Sequence, residues 1–291
     1  MYNNVMKTFA IFIKDYDEKV VSVTRKLIAS LDKNKYRVLL TKSQASSLKM
    51  KSLAAKSIND FKESAFVVSV GGDGTMLRCA RTFSKLGLPI IGINLGRRGF
   101  LTEIKTQEFK KILPKLFGKK FHVDSRMMLD IEVSRDKRSA ARTTALNDIV
   151  IGKNGISRII RLNAFVSGKM MTSYAGDGLI ISTPTGSTGH NLAANGPIID
   201  PALSVFVLTA ICPLSITNRP VVVDGSETLK ITVEDTPRGI EAVLTADGQS
   251  TIPLKKGDEI TIKKAGYDTR FIRLGKYNFF SVLKNKLGWG E

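Results

Sequence analysis

The chain has 291 residues, 43% of them hydrophobic, with 45 Lys and Arg against 26 Asp and Glu and a formal charge of +19 at pH 7. That supplies core enough for two domains, and no apolar run approaches the roughly eighteen residues of a membrane span, so no membrane partner is expected. Cys79 and Cys212 lie far apart with no Cys-x-x-Cys pair, which argues against a zinc site or disulfide scaffold, suits a reducing cytoplasm and reads as two buried hydrophobes.

The opening "MKTFAIFIKDYDEK" meets charge after six apolar residues, so it reads as a strand rather than a secretory leader. A strand over 7–13 is followed by a helix over 19–31, where Val20, Val23, Leu27 and Leu31 recur at three- and four-residue steps. A strand over 36–41, a helix over 47–58, strands over 65–70 and 88–94 with a helix over about 75–86 between them, and a helix over 107–117 complete this part. Strands alternating with helices imply βαβ units and a parallel sheet, with ligands beyond the carboxyl ends of its strands. From about residue 125 the pattern turns to short strands bounded by Gly, Asp, Asn or Pro, among them "MMLDIEVSR", "ALNDIVIG", "GLIISTPTG", "SVFVLTAIC" and "DEITIKK". This predicts a second, mainly antiparallel β domain. The tail "KYNFFSVLKNKLGWG" is helix-like again, either an appendage of the β domain or a return to the first.

The basic residues are spread in short groups such as "GKK", "KNK" and "GRRG", without an aromatic-interleaved block. They imply a solvated basic surface that attracts anions, not a nucleic-acid site. Arg97 and Arg98 sit where either a phosphate contact or an exposed loop tip fits.

The stretch "VVSVGGDGTMLR" (67–78) ends a β-branched run in three glycines and a carboxylate. Gly71, Gly72 and Gly74 allow close backbone approach, and a helix opening at Thr75 would offer its positive end to phosphate oxygens. Asp73 would then orient or deprotonate a hydroxyl nucleophile, or help hold Mg²⁺; alternatively it caps the helix. There is no P-loop, no Gly-x-Gly-x-x-Gly after the first strand, no His-Glu-x-x-His, and "TGSTGH" does not make a hydrolase elbow. A second cluster, 176–201, runs a strand into a loop carrying Ser182, Thr183, Thr185, Ser187 and Thr188, hydroxyls suited to ribose and adenine edges or to plain turn chemistry. In a third, Asn147 and Asp148 open a strand and suit either a sugar diol or a turn cap.

GGDGT at 71–75, Asn147–Asp148 and "DGLIISTPTGST" at 177–188 stand in the order and spacing of NAD kinases, which the chain resembles over nearly its whole length. "NLGRRGFLTEI", "CPLSITNRPVVV", "ADGQ" and "KLGW" are similar to bacterial members too. The lipid kinases and 6-phosphofructokinases that share GGDGT carry further segments absent here. The resemblance implies an α/β + β fold: a Rossmann-like α/β domain over 1–123, rejoined by about 266–291, and a sandwich-like β-rich domain over 124–265. It implies phosphoryl transfer to the 2′-hydroxyl of the adenosine ribose of NAD, giving NADP. The donor is ATP with Mg²⁺ or another divalent cation, or inorganic polyphosphate, and the metal ligands are unassigned. NAD would bind in the crevice between the domains of a cytoplasmic homodimer or homotetramer.

Carried over by the resemblance, Asp73 lies nearest the reacting hydroxyl, and Gly71, Gly72, Gly74 and Thr75 line the phosphates. Asn147 and Asp148 hold adenine and ribose groups, and Asp177 faces the nicotinamide end. Phe100 and Thr188 wall the pocket, with Gly74, Gly189, His190 and Ala193 completing the dinucleotide contacts. His190 stands where the family has Tyr, Ala193 opens "AANGP" in place of Ser-Ala-Gly-Gly-Pro, and Leu214 replaces a frequent His. Two other readings are a related GGDGT kinase acting on a lipid or nucleoside hydroxyl, and a non-catalytic basic protein that binds nucleotides or nucleic acid.

Overall fold

The computed structural model describes residues 8–96, 99–102, 104–108, 111–112, 115–116, 120–154, 159–235, 241–275 and 278–288. They form two compact lobes, one from the described parts of 1–125 and 269–291, the other from 126–268. The chain opens with β1 (Thr8–Ile13), β2 (Arg37–Leu39), β3 (Ser64–Val70), β4 (Pro89–Asn94), β5 (Ile104–Lys105) and β6 (His122–Arg126). The next twelve strands are β7 (Leu129–Arg135), β8 (Arg138–Ala145), β9 (Asp148–Asn154), β10 (Ile160–Val166), β11 (Lys169–Gly176), β12 (Gly178–Ser182), β13 (Val205–Ile211), β14 (Val221–Asp224), β15 (Leu229–Asp235), β16 (Glu241–Ala246), β17 (Ser250–Leu254) and β18 (Glu259–Lys264). The last strand is β19 (Thr269–Arg273).

In the first lobe the sheet runs β2-β1-β3-β4-β19-β6, with β5 on the carboxyl end of β4. β1 pairs with both β2 and β3, and β4 with both β3 and β19, all in parallel. Helix α1 (Glu18–Lys33) forms because Asp17 caps it, its carboxylate accepting from the Val20 amide at 2.9 Å, and because Val20, Thr24, Leu27, Ile28 and Leu31 repeat on one face. That face packs on Phe9, Ile11, Val38 and Val68 of the sheet. From β1 the chain steps to β2 on one side and then to β3 on the other. The switch point therefore lies between β1 and β3, and the turn after β3 stands at its carboxyl edge, where ligands of such sheets bind.

The second lobe is a sandwich of two six-stranded sheets, β11-β10-β15-β18-β7-β8 and β14-β13-β12-β9-β16-β17, antiparallel throughout. Alternate residues of both, such as Leu129, Ile131 and Ile262 on one and Ile149, Ile181 and Leu244 on the other, share a single apolar core.

Local differences from the sequence expectations have physical causes. The helix expected over 47–58 is absent: a capping box between Thr41 and Gln44 starts a short helix, α2 (Lys42–Ser47), earlier, and Lys49 at φ 58° breaks its continuation. Helix α3 (Asp73–Phe83) starts two residues before Thr75, so Asp73 occupies its first turn. Cys79 is buried, but Cys212 is exposed just past β13 at φ 44°, which corrects the expectation of two buried thiols. The helix expected over 107–117 lies partly outside the described residues, as do Arg97, Arg98 and Trp289 entirely. The tail forms a helix over Phe279–Leu287, seated in the first lobe's part of the chain.

Candidate functional site

In the first lobe the chemistry gathers at the turn between β3 and α3. Gly71 has φ 152°, and a Cβ there would lie 2.3 Å from Thr75 Oγ1, so only glycine fits beneath that buried threonine. Not every group expected to face phosphate is available. The Gly71 amide donates to Ile93 O at 2.9 Å, the Thr75 amide donates to Gly72 O at 3.0 Å, and the Thr75 side chain is buried. The amides of Gly72 and Asp73 have no acceptor among the described residues, and no side chain caps α3. A bare helix start of this kind attracts anions.

Asp73 is no cap. Its carboxylate reaches across to the loop after β4, where Oδ2 accepts from the Phe100 amide at 2.7 Å. Oδ1 accepts from the Leu101 amide at 3.2 Å, the Thr102 amide at 3.1 Å and Thr102 Oγ1 at 3.2 Å. Gly99 makes this approach possible: a Cβ there would sit 1.8 Å from Asp73 Oδ1. The loop is itself held, since Asn94 Nδ2 donates to Thr102 Oγ1 at 2.8 Å and Arg273 Nη1 donates to Leu101 O at 3.0 Å. The structure thus joins Asp73 to the 99–102 segment through the amides of Phe100, Leu101 and Thr102, a contact that the residue pattern did not single out. Oδ2 keeps a lone pair beyond its one bond, and Asp73 is only half-buried.

In the second lobe Asn147 and Asp148 enter β9 beside the turn that follows β12. Ser182 pairs with Asp148 in the ladder, and a Cβ on Gly189 would lie 3.5 Å from Asn147 Nδ2 and 4.0 Å from Asp148 Oδ2. These residues are brought together by Asp247, in the hairpin between β16 and β17, at φ 50°. Its Oδ2 accepts from the Leu146 amide at 3.0 Å, and its Oδ1 from the amides of Asn147 at 2.7 Å and Asp148 at 3.3 Å. Asp247 was visible only as part of "ADGQ"; an Asp-Gly hairpin signal was the clue to it. Burial, reinforced by the Asp247 carboxylate, pushes the Asp148 carboxyl from 3.8 up to about 7. Asn147 Oδ1 is buried without a hydrogen-bond partner among the described residues.

Of the two readings of the 182–188 loop, the buried hydroxyls of Ser182, Thr183, Thr185 and Ser187 follow plain turn chemistry. Ser182 Oγ donates to Thr183 O, Thr183 Oγ1 to Leu146 O at 2.6 Å and Ser187 Oγ to Pro184 O at 2.7 Å, all buried. Thr185 accepts from the buried Arg126 guanidinium at 3.4 Å. Ser182 and Thr183 thereby tie the loop to 146–147, and Ser187 closes the loop on itself. Thr188 and Gly189 are half-buried, and His190 and Ala193 are exposed on the short turn His190–Ala193. Asp177 stays apart from this cluster, just before β12 and roughly 16 Å along the strand from Ser182, where it pairs with Lys153 Nζ at 2.7 Å. Leu214 is exposed beyond β13.

Among the described residues no three His, Cys, Asp or Glu side chains are grouped to hold a metal ion, and no helix is long and apolar enough to cross a membrane. A cavity of about 770 Å³, lined among others by Arg25, Ile28, Asp32, Arg37 and Leu53, opens between α1 and β2, at the other end of the strands from the Asp73 turn.

Two family models match the chain, the ATP-NAD kinase N-terminal domain over residues 9–121 and the ATP-NAD kinase C-terminal domain over 146–274. An NAD kinase of Trichlorobacter lovleyi is 39% identical and one of Geobacter sulfurreducens 40%, each over 98% of this chain and all of its own. Among solved structures, an Archaeoglobus fulgidus NAD kinase in complex with ATP aligns at TM-score 0.73 and 27% identity, covering 97% of this chain and 98% of its own. Yeast NADH kinase complexed with NADH shares the fold at TM-score 0.87 and 21% identity, covering 100% of this chain and 90% of its own. With both family models matched in chain order and relatives near 40% identity over the full length, the chain belongs to the NAD kinase family.

Proposed function

We propose that this kinase, which phosphorylates NAD to NADP at the expense of ATP, uses Asp73 as the general base for the 2′-hydroxyl of the adenosine ribose. The hydroxyl O–H bond breaks with its proton passing to Asp73 Oδ2. The ribose oxygen bonds to the γ-phosphorus, and the bond to the β-phosphate oxygen breaks with its electron pair leaving on ADP. The observation that carries this reading is a half-exposed carboxylate fixed by three backbone amides beside an uncapped helix start. The amides of Gly72 and Asp73, with Gly71 and Gly74 giving the backbone room, receive phosphate oxygens. Phe100 walls that side.

In the second lobe Asn147 and Asp148 take adenine and ribose groups, with Thr188, Gly189, His190 and Ala193 around them. Asp177, offset along β12, takes the nicotinamide end. A divalent cation such as Mg²⁺, when bound with the donor phosphates, would neutralise charge on the transferred group; among the described residues no three His, Cys, Asp or Glu side chains are grouped to hold it. Inorganic polyphosphate fits the same donor role. Free thiols at Cys79 and Cys212 suit a reducing cytoplasm, and the exposure of Leu214 and of Ile216, which is 90% accessible, supports a homodimer or homotetramer.

The test is a coupled assay with NAD, ATP and Mg²⁺ read by an NADP-specific dehydrogenase. Asp73→Asn is expected to lower kcat by about 10²–10⁴-fold with the fold retained. A kcat within about threefold of the parent removes Asp73 from the chemistry.

A further inference from the structure

We infer that Arg273 is a positioning residue for Asp73, acting through the backbone of the 99–102 loop; this rests on the reading of Asp73 as the base. Arg273 ends β19, the strand that lies between β4 and β6, and is 2% exposed. Its Nε donates to Asp124 Oδ2 of β6 at 3.1 Å, and its Nη1 donates to Leu101 O at 3.0 Å. Leu101 in turn donates its own amide to Asp73 Oδ1 at 3.2 Å. One planar guanidinium therefore links a carboxylate on the sheet to the residue that grips the base.

The need for such a link follows from the site. Asp73 is half-buried on a short side chain, and its oxygens are aimed by the loop amides and the Thr102 hydroxyl. Those groups hold their direction only if the irregular stretch carrying them is held. Asn94 does this through Thr102, and Arg273 does it at Leu101, one residue nearer Phe100. A desolvated guanidinium is costly to bury, and its rigid fork bonds two acceptors at a set separation as a lysine ammonium does not. Arg273 is assigned no contact with substrate. Its effect on the rate comes from keeping Asp73 Oδ2 aimed at the hydroxyl.

The test is a double-mutant cycle on the full chain. Arg273→Lys keeps a charge beside Asp124 but loses the fork, and is expected to lower kcat about tenfold, with KM for NAD and ATP within about twofold of the parent. In the Asp73→Asn background, assayed at high enzyme concentration, the same substitution is expected to cost nothing further. Peptide-level amide exchange supplies a readout apart from activity: exchange over 99–102 should accelerate in Arg273→Lys. Should Arg273→Lys fail to fold, Asp124→Asn takes its place in the cycle with the same expectations. Equal kcat losses in both backgrounds, an unchanged kcat, or unchanged exchange over 99–102 each overturn the proposal. If Asp73→Asn itself keeps the parent kcat, the base assignment falls and the proposal with it. That outcome is distinct from failure of the proposal alone, in which Asp73→Asn is slow and Arg273→Lys is not.

Discussion

Replacing Asp148 with asparagine tests whether the second lobe holds a carboxyl against its ionisation. Asp148 is 5% exposed, faces the Asp247 charge and titrates near 7 in the folded chain against 3.8 unfolded. A raised carboxyl makes the folded state bind the extra proton. Below about pH 4 both states are protonated and the residue contributes no difference. From there to about 7 the unfolded chain gives up the proton and the folded chain keeps it, so stability falls as pH rises; above 7 the penalty is complete. At about 1.4 kcal/mol per tenfold change in ionisation, the displacement from 3.8 to about 7 corresponds to roughly 4 kcal/mol. Urea unfolding of the parent and Asp148→Asn at several pH values from about 4.5 to 8.5 reads it directly. The variant should gain on the parent up to about pH 7 and level off above it. Other titrating groups largely cancel in the difference, and any constant cost of the amide offsets it without changing its dependence on pH. A stability difference that stays flat with pH would refute the reasoning.

Gly99→Ala places a methyl where Asp73 Oδ1 now sits, 1.8 Å away, so the carboxylate must leave its amide cradle. The kcat should fall about tenfold or more toward that of Asp73→Asn, and an unchanged kcat would show that the cradle is dispensable. Asp247→Asn turns one acceptor oxygen into a donor facing the amides of 146–148 and should cost about 1–3 kcal/mol in urea unfolding. It also removes a like charge from Asp148, so the pH-dependent loss of stability at Asp148 should move to lower pH.

The turn that carries Asp73 was legible because a β-branched run ending in glycines marks both a strand and the tight turn after it. Its partners were not. Leu101 and Thr102 lie 28 and 29 residues further on and are joined to Asp73 by backbone amides, which leave no mark in side-chain chemistry, while Gly99 serves only by lacking a Cβ. The hydroxyl loop left two readings open for a related reason. Ser182, Thr183 and Ser187 have the groups a ribose would want, but a loop folded over 146–148 must satisfy buried carbonyls first. Strand β8, "RSAARTTA", escaped notice because it offers almost no apolar alternation; it is largely exposed and, among the described residues, an edge paired only with β7. Lys49, a lysine at positive φ, ended a helix that its neighbours' periodicity favoured.

The register of β19 on β4 has a consequence for how the molecule is made. Arg270 pairs with Pro89 and Phe271 with Ile90, partners about 180 residues apart, so this contact closes one of the longest loops in the chain. During synthesis all the strands of the second lobe have emerged before β19 appears. That lobe can fold while the first sheet still lacks an interior strand, and the base-bearing turn precedes its buried anchor by most of the protein's length. The amino-terminal half of this enzyme is therefore translated first and completed last, and a ribosome that stops before residue 269 releases a sheet with a gap between β4 and β6.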